Sequence, residues 1–391
     1  MADMKTTIIR AMEHGSETLE TVRILRENGI DYTFTPEETT KKICSLHSNL
    51  ILKVSEAYMN TDNSRTIRFV GVNGELPVFE SGQYINIFLT IGGVRTSRPY
   101  SISSPSNQRG YYEITVARIS ENGFVSDYLI DELRVGDIVE ANGPAGNFKY
   151  NPVFHKKDVV LIAGGSGITP FISMIKEVLE RGLDRNIFLI YGVPNTYNVI
   201  YIDEIEKMAK EYENFEYELV CSDPDKDWKG LTGFITKDII NHLVGDTNNK
   251  TYYICGPQAM NLSVENSLVE LGVKKSMIRR EMFAQNQGVY LMPGWPKNVD
   301  PDHEFNINVI SEELDVLIKG KAGESLLTSL ERNHIRMNVC CRSGECSLCR
   351  VQLVDGDVYL VRGSLQRRAD EKFGYIHSCK AYPISDVTIL I

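Results

Sequence analysis

Long apolar runs are missing from this chain, which argues against a helical membrane span. Val159 to Met174 carries no charged residue, but Gly164, Gly165, Ser166, Gly167 and Pro170 interrupt it, so it reads as strand, turn and helix start. An apolar leader is missing too. The opening MADMKTTIIRAM has neither an apolar core nor a small-residue cleavage site, so no secretory signal is expected and the expected compartment is the cytoplasm. Basic runs are absent and the formal net charge is −10, so the surface should repel phosphate and no nucleic-acid partner is expected. The seven histidines are scattered, and none is assigned to a metal. No internal repeat or low-complexity tract is present.

What the chain does have is length, an apolar fraction of 42% over 391 residues, and eight cysteines. That is room for several domains, each with its own core. In a reducing compartment the cysteines read as ligands or core residues, not disulfides. Cys341, Cys346, Cys349 and Cys379 give Cys-x4-Cys-x2-Cys-x29-Cys, the plant-type 2Fe–2S spacing. Three thiolates come from one loop, where Gly344 permits a tight backbone, and the fourth closes the site from a distance. Cys346 and Cys349 alone would suit zinc; the four-part spacing favours the cluster. Cys340 would leave a gap of five residues and is set aside.

The rest of the chain divides by periodicity. Residues 49–150 alternate apolar and polar in short runs, at Thr66 to Val70, Tyr84 to Leu89 and Tyr112 to Val116, as in an antiparallel barrel. Residues 151–283 carry apolar runs at Val159 to Ala163, Asn186 to Tyr191, Phe215 to Cys221 and Thr251 to Ile254. Amphipathic stretches between them, such as Phe171 to Leu179, imply a parallel sheet in an α/β domain. In Gly164-Gly165-Ser166-Gly167-Ile168-Thr169-Pro170, small residues would let backbone approach a pyrophosphate beside a helix N-terminus. Residues 284–303, with Pro293, Gly294, Trp295, Pro296 and Pro301, read as a linker. Residues 1–48 form an extension in which Ser16 to Asn28 could be a helix with Leu19, Val22 and Leu25 on one face. That helix either covers the chain's own surface or docks a partner.

Several motifs carry a resemblance. Arg98-Pro99-Tyr100-Ser101, then Gly123-Phe124-Val125-Ser126 opening a helical stretch, then Gly143-Pro144-Ala145-Gly146-Asn147-Phe148 resemble the flavin domain of the ferredoxin-NADP reductase superfamily. Gly165, Gly167 and Pro170 match that family's Gly-x-Gly-x-x-Pro. Cys255-Gly256-Pro257 and the Glu281 to Phe283 strand resemble its nicotinamide motifs. Residues 304–391, with strand-like Phe305 to Val309 and Val316 to Lys319, a helix around Ser325 to Asn333 and a strand at Arg350 to Val354, resemble a plant-type ferredoxin of β-grasp fold.

The resemblance implies that Arg98 pairs with flavin phosphate, that Tyr100 packs on the isoalloxazine beside Pro99, and that the Ser101 hydroxyl faces its N5 edge. Gly123 and Ser126 would supply phosphate-binding N–H groups, and Gly164, Gly165, Gly167, Thr169 and Pro170 would hold the nucleotide. Cys255, Gly256 and Pro257 would face the nicotinamide, and Phe283 would pack near the flavin. Ser101 and Cys255 are the expected catalytic positions. The form of the second motif favours FAD over FMN. Val193 to Asn198 has no basic residue and Ser222 to Asp227 is mainly acidic, which favours NADH over NADPH. The expected activity is an electron relay from NADH to FAD to one 2Fe–2S cluster, and on to a partner that accepts single electrons: an oxygenase, a hybrid cluster protein or another metalloprotein. The rivals are a subunit running electrons from an iron–sulfur donor to NAD, and a redox-sensing scaffold.

Overall fold

The computed structural model describes residues 15–28, 49–118, 124–282, 288–361 and 368–391. Helix α1 (Gly15–Glu27) precedes strands β1 (Leu50–Thr61), β2 (Ser64–Gly71), β3 (Tyr84–Ile91), β4 (Val94–Ser101) and β5 (Tyr112–Ala117). A short α2 (Val125–Asp127) runs into a π turn at Tyr128–Glu132, and β6 (Ile138–Ala145) follows. The six strands form an antiparallel sheet in the order β4-β3-β6-β1-β2-β5. A bridge between Ile102 and Ile114 draws its two edges together into a barrel. Alternate residues such as Leu50, Leu52 and Val54 on β1, and Ile85, Ile87 and Leu89 on β3, fill its core. On β3 the outward residues Tyr84 and Asn86 are buried as well, because another domain sits on that face.

The second unit runs β7 (Asp158–Gly164), α3 (Ile168–Glu180), β8 (Asn186–Val193), α4 (Ile202–Glu211), β9 (Phe215–Cys221), β10 (Leu231–Thr232), α5 (Lys237–Val244), β11 (Lys250–Gly256), α6 (Gln258–Glu270) and β12 (Ile278–Met282). Its parallel sheet has the order β10-β9-β8-β7-β11-β12, with a core on each face. The order reverses between β7 and β11. A crevice forms at the carboxyl ends of strands at such a switch point, and here those ends carry the Gly164 turn and the Cys255 turn.

The third unit comprises β13 (Glu304–Ile310), β14 (Asp315–Lys321), α7 (Leu326–Arg332), β15 (Arg350–Asp355), β16 (Val358–Leu360), α8 (Arg368–Lys372), β17 (Tyr375–His377), β18 (Ala381–Pro383) and β19 (Val387–Leu390). Its main sheet is β14-β13-β19-β15-β17, with β13 and β19 parallel, and β16 pairs with β18. Ser325 caps α7 by accepting from the Thr328 N–H. That helix turns Leu326 and Leu330 to the sheet and Leu327 to the cysteines.

The described part of the connector is anchored. Val289 is buried with Tyr359, Val361 and Tyr382, Trp295 packs edge-on against Tyr359 at 5.3 Å, and Tyr359 donates to the Pro293 carbonyl at 3.1 Å. On α1, Leu19 and Leu25 are half-buried and Val22 is exposed. Arg185 Nη2 donates to Asn28 Oδ1 at 2.7 Å and its guanidinium stacks on Tyr150. Among the described residues no helix is long and apolar enough to cross a membrane.

Candidate redox site

Gly167 and Gly256 sit where there is no room for a side chain. A Cβ on Gly167 would lie 2.0 Å from the Cys255 carbonyl oxygen, and one on Gly256 would lie 3.1 Å from Gly164 backbone. Glycine at these positions is therefore what lets the ends of β7 and β11 approach each other. Gly165 takes a positive φ of 54° within a 3₁₀ turn, and α3 starts at Ile168. Thr169 and Pro170 are buried in the first turn of α3; Thr169 Oγ1 donates to the Ser166 carbonyl at 2.7 Å. Cys255 is wholly buried, and burial first, then the Glu281 carboxylate, pushes its thiol well up.

On the barrel, the register of β3 with β4 sets Ser101 opposite Tyr84. The Ser101 hydroxyl is buried and makes no hydrogen bond, so a donor–acceptor is held ready at this spot. Tyr100 is half-buried and packs on the barrel core. Arg98 Nη1 donates to Thr96 Oγ1 at 3.0 Å and to the Ser97 carbonyl at 2.7 Å; burial first, then nearby Arg342, lowers it to about 10. Ser126 is buried in the first turn of α2, and the helical backbone runs on through the π turn to Glu132, with Leu133 as its cap, as expected of the stretch this motif opens. Gly123 and Phe283 lie outside the described residues.

The cysteine loop curls through left-handed backbone at Arg342, Gly344 and Ser347. The N–H groups of Ser343, Glu345 and Cys346 thereby point at Cys341 Sγ, at 3.4, 3.4 and 3.3 Å. The thiols fall into two neighbouring pairs, Cys341 with Cys346 and Cys349 with Cys379. The Cys346 thiol first, with those N–H groups, holds Cys341 below the usual thiol range. Two pairs suit two irons, each of which takes two of the four thiolates in a cluster of this kind. The four cysteines therefore fit a binuclear cluster. Cys340 instead points its sulfur at the Tyr84 hydroxyl, 3.8 Å away.

The three sites meet. Tyr84, opposite Ser101, packs with Cys340, Cys341, Cys346 and Ala145. Glu281 on β12 stands beside Cys255 in register; burial first, then Glu345 of the cysteine loop, holds its carboxyl well above the usual carboxylate range. Tyr84, Glu345 and the Thr96–Arg342 contact were not singled out from sequence, since each matters only once domains dock.

Chemistry and fold together define an oxidoreductase that joins a flavin site, a pyridine-nucleotide site and its own iron–sulfur domain. Residues 53–150 match the oxidoreductase FAD-binding domain family, 161–266 the oxidoreductase NAD-binding domain family, and 310–383 the 2Fe–2S iron-sulfur cluster binding domain family. An NADH-cytochrome b5 reductase 1 of Dictyostelium discoideum is 31% identical over 58% of this chain and 79% of its own length. A glycine betaine monooxygenase reductase subunit of Chromohalobacter salexigens is 25% identical over 91% of this chain and 98% of its own. The solved structure of phthalate dioxygenase reductase shares the fold, with a TM-score of 0.66 over 88% of this chain and 98% of that one, at 24% identity. The chain belongs to the ferredoxin-NADP reductase superfamily, in the form that carries a C-terminal 2Fe–2S domain. It is an NAD-dependent oxidoreductase with FAD-binding, NAD-binding and 2Fe–2S-binding domains.

Proposed function

We propose that this chain is the reductase component of an oxygenase-type system, drawing electrons from NADH and delivering them singly through its iron–sulfur domain to a partner metalloprotein. The observation that carries this reading is the meeting of Ser101, Cys255 and the cysteine loop around Tyr84 and the Glu281–Glu345 pair. When bound, the flavin accepts an electron pair from nicotinamide and releases electrons one at a time to the cluster.

The residues provide binding, orientation and exclusion of water. Cys341, Cys346, Cys349 and Cys379 hold the cluster, and inward N–H groups offset its negative charge. Arg98 would neutralise flavin phosphate, Tyr100 would pack against the flavin, and the unpartnered Ser101 hydroxyl would supply a hydrogen bond to it. The Gly164–Gly167 turn admits the pyrophosphate, and Cys255-Gly256-Pro257 sets the nicotinamide face. NADH is favoured because Asp223 and Asp225 lie in the loop after β9, and Thr196 from the loop after β8 bonds to Asp225, an acidic surround that repels a 2′-phosphate. The units are 49–150 for flavin, 151–283 for nucleotide and 304–391 for the cluster. An oxygenase-type partner agrees with the relative from Chromohalobacter, a monooxygenase reductase subunit that this chain covers almost end to end.

Anaerobic titration with NADH should bleach the flavin absorbance and raise the electron paramagnetic signal of a reduced 2Fe–2S centre, with NADPH much less effective. A zinc-loaded protein with no such signal would sink the reading.

A further inference from the structure

A group of charges between the iron–sulfur domain and the barrel joins Arg98 to Arg342 and Glu331, two residues that the relay as described leaves without a role. Thr96 Oγ1, on β4, accepts from Arg98 Nη1 at 3.0 Å and from Arg342 Nη2 at 3.4 Å, and donates to Glu331 Oε2 at 3.1 Å. Arg342 also donates to Ser97 Oγ at 3.3 and 3.2 Å and pairs with Glu331. The Arg342 and Glu331 side chains are only 2% and 10% exposed. Two guanidinium groups thus share one hydroxyl and face one carboxylate, away from water, which leaves a positive charge in excess. Arg342 Nη1 is buried with no hydrogen-bond partner. A desolvated surplus cation with an idle donor is unfavourable unless an anion completes it, and a phosphate oxygen is the acceptor that a guanidinium fork matches best.

We infer that Arg342 and Arg98 together bind the flavin's phosphate, so that the iron–sulfur domain completes the flavin site. This rests on the reading of Arg98 as the flavin-phosphate residue. Glu331 then serves as the resident anion that occupies Arg342 when no phosphate is there. The coupling is reciprocal: flavin strengthens docking of the iron–sulfur domain by the same factor that docking strengthens flavin binding. Inorganic pyrophosphate offers the same oxygens, so the test must separate the two sources.

The full chain, stripped of flavin but retaining its cluster, is titrated with FAD, with riboflavin, which lacks phosphate, and with FAD against inorganic pyrophosphate, following flavin fluorescence. Arg342→Met should weaken FAD at least about tenfold and riboflavin by no more than about twofold, with the visible circular dichroism of the cluster unchanged. Glu331→Gln should bind FAD as tightly as the parent or more tightly, because it removes the competing anion; this arm decides the matter if Arg342→Met fails to keep its cluster. Pyrophosphate should compete with FAD in the parent. The inference is overturned if Arg342→Met binds FAD like the parent, if it loses FAD and riboflavin equally, if Glu331→Gln weakens FAD, or if pyrophosphate binds beside FAD without displacing it. A parent that takes up neither flavin would be a different failure, that of the barrel as a flavin site.

Discussion

The barrel meets its two neighbours through different chemistry. Towards the nucleotide domain the buried part of the seam is lined by hydroxyls, and charged groups bridge its exposed rim, where Arg279 donates to the Asn147 carbonyl at 3.2 Å and Asn107 donates to Glu180 at 2.8 Å. Tyr201, in left-handed backbone at φ 64°, sets its hydroxyl between Thr66 and Thr115; Ser173 Oγ donates to the Ser104 carbonyl at 2.7 Å, and Ser81 Oγ to the Ser173 carbonyl at 3.2 Å. Towards the iron–sulfur domain the seam carries charge at Arg98, Arg342 and Glu331, flanked by Asn86 and Asn142, which both donate to the Val339 carbonyl at 3.1 and 3.2 Å. Neutral bonds contribute about 1 kcal/mol each. A buried charged seam is firm only when every charge is matched. The nucleotide domain is thus held by many small, independent terms, whereas the grip on the iron–sulfur domain depends on what fills the seam.

The strongest way to break this contrast is to remove the exit port. Cys379→Ser should abolish the cluster and cut NADH-driven reduction of a one-electron acceptor such as cytochrome c by at least about a thousandfold. Reduction of a dye that takes electrons directly from flavin should change by no more than about twofold. Cys340→Ser, by comparison, should keep both activities, and loss of its cluster would move the ligand register. A second break acts on the nucleotide side. Gly167→Ala places its Cβ 2.0 Å from the Cys255 carbonyl oxygen, backbone that cannot swing away. It should destabilise that domain by about 3 kcal/mol in denaturant titration while the cluster spectrum stays unchanged.

A gentler substitution sharpens the contrast. Tyr201→Phe removes a hydroxyl from the neutral seam, but Thr66 and Thr115 keep each other as partners at 2.8 Å. The loss should be that of one to two neutral bonds, about 1–2 kcal/mol in urea unfolding, with cluster reduction unaffected. A collapse of electron transfer in this variant would show that the neutral seam, too, controls the relay.

The two seams also differ in how much of them could be read from sequence. The strands from Asn186 to Tyr191 and Tyr84 to Leu89 follow from local periodicity, and the Gly165–Pro170 turn and the cysteine spacing follow from a few adjacent residues whose chemistry allows little else. Thr96, Ser97, Glu331 and Arg342 gave no such signal, because the contacts between the two pairs span more than 200 residues and are fixed only by docking. Tyr84 and Asn86 likewise sit where a lone barrel alternates towards solvent; burial by the iron–sulfur domain is what makes them part of the site. In the connector, Pro and Gly mark a linker in the sequence, yet the anchoring of Trp295 on Tyr359 depends on a ribbon formed much later in the chain.

The smallest effect concerns acid. His155 lies at the base of the nucleotide domain, where its Nδ1 accepts from the Asn151 N–H at 3.0 Å and lies 2.7 Å from the Tyr253 hydroxyl. The Asn151 bond needs an unprotonated Nδ1. Burial first, then Arg279 and Arg185, lowers the ring to about 4 from 6.5. The unfolded chain therefore takes up the proton more readily than the folded one. The stabilisation is complete above pH 6.5 and declines as the pH falls towards 4. Because the ring is partly exposed, screening reduces the effect to about 1 kcal/mol. Urea midpoints for the parent and His155→Gln should converge as pH drops through that window, and parallel curves would remove His155 as the source. A parallel loss of cluster docking over the same range would tie the charged seam to the neutral one.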